Sequence, residues 1–293
     1  MSEKKILGFI GTGVMGGSMA GHLLAAGNEL HVYNRTKEKT APLVEKGAVW
    51  EDSPVALAAK CDVVFTIVGF PRDVEELYLG KEGLVNNAKD GALLIDMTTS
   101  SPNLAKKIHS AGKKRGLGIL DAPVTGGDRG AREATLTIFA GGEREDFERA
   151  LPYFQTMGRV VKYMGGAGDG QNAKLGNQIV IAGTMTGMCE ALAFAKSCGL
   201  DLKEFIEAVG GGSAATWSLN NYGPRILGGD FEPGFFIKHY IKDMKLAEEA
   251  ANDMDMDLPA LTLTRELYEE LAEGGYEDKG TQALYCLYDP EEE

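Results

Sequence analysis

The 293-residue chain is 44% hydrophobic and 25% charged with a formal net charge of −13, so two domains are expected rather than one very large core, and intrinsic disorder is excluded. The acidity sets most of the surface against a phosphate backbone, which argues against nucleic acid, although a phosphorylated small molecule can still bind where Lys, Arg or backbone N–H groups gather. The four cysteines, Cys61, Cys189, Cys198 and Cys286, form no CxxC pair and no metal-ligand spacing with the four histidines; they read as buried free thiols in a reducing, cytoplasmic compartment, with no metal.

Residues 1 to 5 are polar, and the apolar stretch Ile6 to Ile10 is too short for a signal-peptide core. It reads instead as a strand followed by a pattern of helical length, and Leu30 to Tyr33, Val63 to Val68, Ala92 to Ile95 and Gly118 to Leu120 repeat the alternation. Strands alternating with crossover helices predict right-handed βαβ units and a parallel sheet that binds its ligand at the carboxyl ends of the strands. A strand from Thr135 through Ala140, a helix from Glu143 to Thr156 and a last strand near Val160 follow. Gly165, Gly166, Gly168 and Gly170 then open a long helical pattern to about Cys198, and the rest reads as helices separated by Gly or Pro. Within that long pattern the apolar run Ile179 to Ala195 is broken by Glu190 and falls short of the roughly 18 to 20 residues a bilayer requires. A buried helix, and no membrane, is expected. The expected division is 1–164 and 165–293, ending in a frayed acidic tail of Asp289, Pro290 and three glutamates.

Gly11, Gly13 and Gly16 form a GxGxxG directly after the first strand, with Val14 and Met15 opening the helix. The first glycine permits a tight turn, the second lets the backbone approach a pyrophosphate, and the third packs helix on strand, while the helix N-terminus faces the anion. A fortuitous glycine-rich turn is the plain alternative, and the strand–helix context weighs against it. An acid at the end of the second strand would hold the 2′-hydroxyl of NAD and repel a 2′-phosphate. Here the strand runs into Asn34, Arg35, Thr36 and Lys37, so NADP(H) is expected to be preferred, with NAD(H) also admissible, unless this is only a solvated basic loop.

Hydride transfer to a carbonyl leaves an alkoxide that needs a proton donor. His22, His31 and His109 sit in the first helix, the second strand and a crossover helix, poor places for that task, which leaves His239 among the histidines. Lys174 is the other candidate, one turn into the long helix, with Asn177 and Gln178 on its face at i+3 and i+4. Partial burial there would favour the neutral amine, which suits a group that gives up and regains a proton; a lysine that snorkels to solvent or caps a carbonyl is the bland alternative.

Several segments together resemble the β-hydroxyacid dehydrogenase family. They are GFIGTGVMG, the turn ending in Phe70 and Pro71, DMTTSSP from Asp96, DAPVTGG from Asp121, GDGQNAKLGNQ from Gly168 and KDMKLA from Lys242. The resemblance implies an α/β chain: an N-terminal Rossmann dinucleotide-binding domain, then an all-α C-terminal domain joined by a long helix and serving substrate binding and dimerisation. It implies an NAD(P)-dependent 3-hydroxyacid dehydrogenase or semialdehyde reductase with Lys174 catalytic. Cofactor contacts fall on Gly11, Gly13, Gly16, Phe70, Pro71 and Thr99, with Lys242 added from the helical domain. Thr125, Gly126 and Gly127 would hold the substrate carboxylate, with Asn177 and Gln178 beside the substrate, and the family favours a homodimer or homotetramer. Three positions depart from the pattern: Thr125 replaces the usual Ser, Gln178 stands where many members have Asn, and Ala134 replaces a common glycine. The first two bear on which acid is bound, whether 3-hydroxyisobutyrate, tartronate semialdehyde, succinic semialdehyde, methylmalonate semialdehyde or glyoxylate.

Trp217, with Tyr240 or Phe236, could wall the pocket, although aromatics at such spacing are more often core. Three other readings compete. Imine reductases of this architecture generally lack the lysine. Phosphogluconate dehydrogenases carry a much longer helical domain. A catalytically silent cofactor-binding or chromatin-associated module is the reading from a different class, and the intact Lys174 and acidic surface weigh against it.

Overall fold

The structure, a computed structural model, describes residues 5–289 and falls into two compact units that meet in sequence between Lys174 and Leu175. In the first unit the elements run β1 (Ile6–Ile10), α1 (Val14–Ala25), β2 (Glu29–Tyr33), α2 (Ala41–Val44), β3 (Val49–Trp50), α3 (Pro54–Ala58), β4 (Val63–Thr66), α4 (Pro71–Leu79) and α5 (Leu84–Asn87). They continue with β5 (Leu93–Asp96), α6 (Pro102–Lys114), β6 (Gly118–Asp121), β7 (Val124–Thr125), α7 (Gly127–Arg132), β8 (Leu136–Gly142), α8 (Arg144–Met157) and β9 (Gly158–Gly165). The strand order is β3-β2-β1-β4-β5-β6-β8-β7, with β9 paired to β8.

From β3 to β6 every pairing is parallel, as the alternation of strand and helix predicts. Beyond β6 the sheet departs from that expectation, because β8 runs antiparallel to both β6 and β7. The connection 126–135 is short of the dozen or so residues a parallel crossover needs, so the chain turns back on itself. The side-chain period of two splits the apolar residues between two cores. Leu7, Phe9, Val63, Phe65, Leu93 and Ile95 face the core shared with Phe147 and Phe154; Ile10, Val64 and Leu94 face the one shared with Leu57, Tyr78 and Ile108. Both faces are covered, and the carboxyl ends of the strands are left for ligands.

Helix α9 (Asp169–Ser197) starts in the first unit; α10 (Leu202–Gly210), α11 (Trp217–Leu227), α12 (Ile237–Asn252) and α13 (Pro259–Leu271) follow in the second. Asp201 and Thr216 cap the starts of α10 and α11 by accepting from Glu204 N and Leu219 N. By length and composition α9 could cross a membrane. Its Ala182, Met185, Cys189 and Leu192 pack into the core of the second unit with Ile237, Tyr240, Met244 and Tyr268, while Val180 and Phe194 stand 67% and 70% exposed.

Four details correct or explain the sequence reading. None of the four cysteines forms a disulfide, but only Cys61 and Cys189 are buried; Cys286 is half-buried and Cys198 is exposed, the latter because it lies just past the last turn of α9, where Gly199 with φ +74° ends the helix. Tyr240, a candidate pocket wall, is fully buried and packs edge-on against Tyr268 with ring centroids 5.1 Å apart. Asp289 is not frayed: it accepts from the Tyr285 hydroxyl at 3.0 Å and pairs with Lys196, and residues 290–293 lie outside the described residues. Ala134 has φ +54°, a left-handed conformation that favours glycine, the residue the resemblance leads one to expect there.

Candidate active site

At the end of β1 two of the three glycines are dictated by contact and one by vacancy. A Cβ on Gly11, whose φ is +95°, would lie 2.0 Å from the Ile67 carbonyl oxygen, and one on Gly16 would lie 1.8 Å from the Gly11 carbonyl oxygen. A Cβ on Gly13 would meet nothing within 4 Å, so the start of α1 has open space before its unsatisfied N–H groups. Val14 is exposed there and Met15 packs against the core. Thr12 is buried; its N–H donates to Asn34 Oδ1 at 3.0 Å, and its hydroxyl has no partner among the described residues. Open space, free helix N–H groups and an orphaned hydroxyl fit a pyrophosphate.

Asn34 donates from its side chain to the Thr36 carbonyl at 2.9 Å. The Arg35 side chain is 83% exposed, with Nη1 3.4 Å from Asp73 Oδ1. Asp73 also accepts the Phe70 N–H at 3.1 Å, just before Pro71 opens α4. Lys37 is drawn aside over the Trp50 ring, 4.9 Å from its centroid. Arg35 is therefore the cation of this strand end most free to turn toward an anion.

Lys174 is buried, in the second turn of α9. The start of that helix is bound to the sheet of the first unit. Asp121, at the end of β6, accepts Gly168 N–H on Oδ1 and Gln171 N–H on Oδ2, both at 2.8 Å. The Gln171 side chain is wholly buried; it accepts Ser100 N–H at 2.9 Å and donates to the Thr98 carbonyl at 2.8 Å, so it brackets Thr99. Thr98 Oγ1 in turn accepts Val68 N–H at 2.9 Å, tying in the loop that leads to Phe70 and Pro71. Clearances are below a methyl group: a Cβ on Gly170 would lie 2.4 Å from the Asp121 carbonyl oxygen, and one on Gly141 would lie 2.6 Å from Gly170 N. Burial pushes the Asp121 carboxyl up to about 7, the charge of Asp96 adding to the effect while the Gly168 and Gln171 amides oppose it.

Thr125 is half-buried in β7, opposite Thr137 of β8. Gly126 and Gly127, with φ +129° and +63°, turn the chain into α7. Arg129 pairs with Glu133 and Arg132 with Asp128. A surface groove of about 480 Å³ between α8 and β9, lined by Arg144, Phe147, Arg159 and Tyr163 among others, contains none of these residues.

The second unit gathers Asn177, Gln178 and Lys242 into one network. Asn177 donates to Gln178 Oε1 at 2.8 Å, Gln178 donates to Asp243 Oδ2 at 2.7 Å, and Lys242 Nζ lies 2.8 Å from Asp243 Oδ1. Tyr240 donates its hydroxyl to the Gln178 carbonyl at 3.2 Å. Of the histidines, His22 Nε2 bonds the Ala131 carbonyl and His31 Nδ1 bonds Glu51. His109 lies 3.6 Å from Glu143, and the His239 imidazole is held below its ordinary value by burial, the charge of Lys242 adding to it.

Sequence reasoning passed over Gln171, Asp121 and Asp243 as individual residues. Each is a polar side chain buried by its partners, and only Asp121, directly after an apolar strand, stood where its burial could have been suspected.

Comparison with known proteins agrees with this architecture. Residues 6–165 match the NAD binding domain of 6-phosphogluconate dehydrogenase, and residues 168–288 match the NAD-binding domain of NADP-dependent 3-hydroxyisobutyrate dehydrogenase. The chain is 47% identical over 279 residues to the probable 3-hydroxyisobutyrate dehydrogenase-like 1, mitochondrial, of Arabidopsis thaliana, covering 95% of this chain and 83% of that one. It is 36% identical over 293 residues to the NAD-dependent L-serine dehydrogenase of Pseudomonas aeruginosa, covering 98% of both. The solved structure of Mycobacterium tuberculosis 3-hydroxyisobutyrate dehydrogenase with L-serine superposes with a TM-score of 0.90 at 26% identity, covering 98% of this chain and 100% of that one. With a nicotinamide-dinucleotide domain, a helical partner domain and relatives that share nearly its whole length, the chain belongs to the β-hydroxyacid dehydrogenase family and is an NAD(P)-dependent hydroxyacid dehydrogenase.

Proposed function

We propose that the chain interconverts a small 3-hydroxy acid and its semialdehyde, prefers NADP(H) to NAD(H), and moves the alcohol proton through Lys174. The observation that carries this reading is a lysine buried in the second turn of a helix whose start is fixed to the sheet by Asp121 and Gln171. The nicotinamide, when bound, supplies or accepts the hydride. The α1 N-terminus with Gly11, Gly13, Val14, Met15 and Gly16 holds the pyrophosphate; Asn34, Arg35 and Thr36 hold the 2′-phosphate; Phe70, Pro71, Thr99 and Lys242 complete the cofactor contacts. Thr125, Gly126 and Gly127 hold the substrate carboxylate, with Asn177 and Gln178 beside the substrate. Lys174 gives its proton to the carbonyl oxygen during reduction and takes it back during oxidation.

Candidate substrates are 3-hydroxyisobutyrate and tartronate semialdehyde, whose alcohols are 3-hydroxy acids, with succinic semialdehyde and glyoxylate, whose alcohols carry the hydroxyl one carbon further from and one carbon nearer to the carboxylate; L-serine, named with two of the compared proteins, is itself a β-hydroxy acid. Four thiols with no disulfide among them suit a cytoplasmic setting. The exposed Val180 and Phe194 on α9 suit a homodimer or homotetramer, which a light-scattering mass tests. The mechanism is tested by Lys174→Ala, expected to lower kcat by about 100-fold or more with little change in cofactor affinity. Turnover at the unaltered rate in that variant overturns it.

A further inference from the structure

We propose that Gln171 is a positioning residue that locks the loop carrying Thr99 to the helical turn carrying Lys174, so that the cofactor side of the site and the proton donor keep one register. This rests on the reading of Lys174 given above. The inference starts from what a buried glutamine requires. Its amide must find both an acceptor and a donor, and Gln171 finds them 71 and 73 residues away, at Ser100 N–H and the Thr98 carbonyl. Those two groups flank Thr99, and the amide spans them as a neighbouring strand would. The orientation is forced, since a reversed amide would set its NH₂ against Ser100 N–H and its oxygen against the Thr98 carbonyl.

The same residue is fixed at its backbone, where its N–H donates to Asp121 at 2.8 Å. Gln171 therefore joins two strand ends directly, β5 through residues 98–100 and β6 through Asp121, and Thr98 ties in the end of β4 by its own bond from Val68 N–H to Oγ1. Lys174 lies three residues on, about 4.5 Å along the helix axis and on the same face. A shift of the first turn of α9 is passed directly to the Lys174 side chain. Gln171 touches neither reacting atom and acts through Lys174 and Thr99.

No other side chain of this size does both jobs. Methionine fills the space without either bond. Glutamate accepts from Ser100 N–H but sets a second oxygen against the Thr98 carbonyl, until protonation turns that oxygen into a donor. Gln171→Met is expected to lower kcat by about 10-fold to 100-fold, the scale of a misplaced donor, and to weaken NADPH binding several-fold, read by fluorescence titration without turnover. The ratio of kcat in Gln171→Glu to that of the unaltered enzyme is expected to rise as pH falls, which methionine cannot reproduce.

The deciding measurement is a double-mutant cycle with Lys174→Ala. If Gln171 acts through Lys174, adding Gln171→Met to Lys174→Ala costs less than about 2-fold in the residual rate. An equal loss in both backgrounds overturns the positioning role while leaving Lys174 as donor, whereas an unimpaired Lys174→Ala enzyme overturns the proton-transfer reading itself. Should the Met variant fail to fold, the Glu variant decides alone: a kcat ratio that does not rise with falling pH refutes the proposal.

Discussion

Asp121 is the most exacting place to test the link between the sheet and α9, because its carboxyl should titrate at a pH where the protein is handled. Burial carries it from an ordinary 3.8 to about 7 in the folded chain. Between those values the folded state holds one more proton than the unfolded state, so stability from this group is fully present below about pH 4 and is lost as pH climbs through about 7. The slope is about 1.4 kcal/mol per pH unit inside that window. Asparagine does not titrate, so the stability of the unaltered protein relative to Asp121→Asn should grow by about 1 kcal/mol for each unit the pH falls from 6.5 to 5, and level off above about pH 8. Urea unfolding of both proteins at pH 5, 6, 7 and 8.5 and constant ionic strength measures it. Parallel profiles, or a difference that grows as pH rises, would refute the buried-acid account.

Two further outcomes concern recognition. Thr125→Val keeps the volume and branching of the side chain but removes the hydroxyl proposed to bond the substrate carboxylate, so kcat/KM for acidic substrates should fall about 10-fold to 150-fold while Thr125→Ser is tolerated; a Val variant that keeps its kcat/KM while Ser loses it would make Thr125 a packing residue and turn attention to Arg129 and Arg132. Arg35→Asp should reduce or reverse the proposed NADPH-to-NADH preference, since among the described residues Arg35 is held by an exposed 3.4 Å contact to Asp73; an unaltered ratio of the two dissociation constants would remove Arg35 from cofactor selection.

The parts of the fold legible in the sequence are those set by local pattern. The apolar runs at Ile6, Val63 and Leu93 announce β1, β4 and β5 because strands covered on both faces need no polar alternation. The glycine-rich run from Gly165 announces the entry to α9. What stayed hidden depends on distant partners. Strand β7 is two residues long and has no period of its own, and the antiparallel return of β8 is a matter of pairing rather than composition. In the site, Lys174 stood out as a charge on an apolar helix. Gln171 did not, because within GDGQNAK it reads as one more solvated polar residue, and only Thr98 and Ser100, more than 70 positions away, show that it is buried.

The glycines where α9 meets the sheet also bear on how such an enzyme can change its substrate over evolutionary time. With a Cβ at Gly141 or Gly170 landing 2.4 to 2.9 Å from backbone atoms or the Asp121 carboxylate, the helix start has no slack in which to drift, and almost every substitution there is purged before it can be tried for a new activity. On the proposed role of Lys174, the proton-transfer apparatus is thus insulated from mutational exploration. Innovation is left to ground that tolerates it, such as the turn between α7 and β8, where Ala134 already holds a conformation that costs a side-chain-bearing residue energy. A lineage can accumulate new acids in its repertoire there while the chemistry beneath them is inherited unchanged.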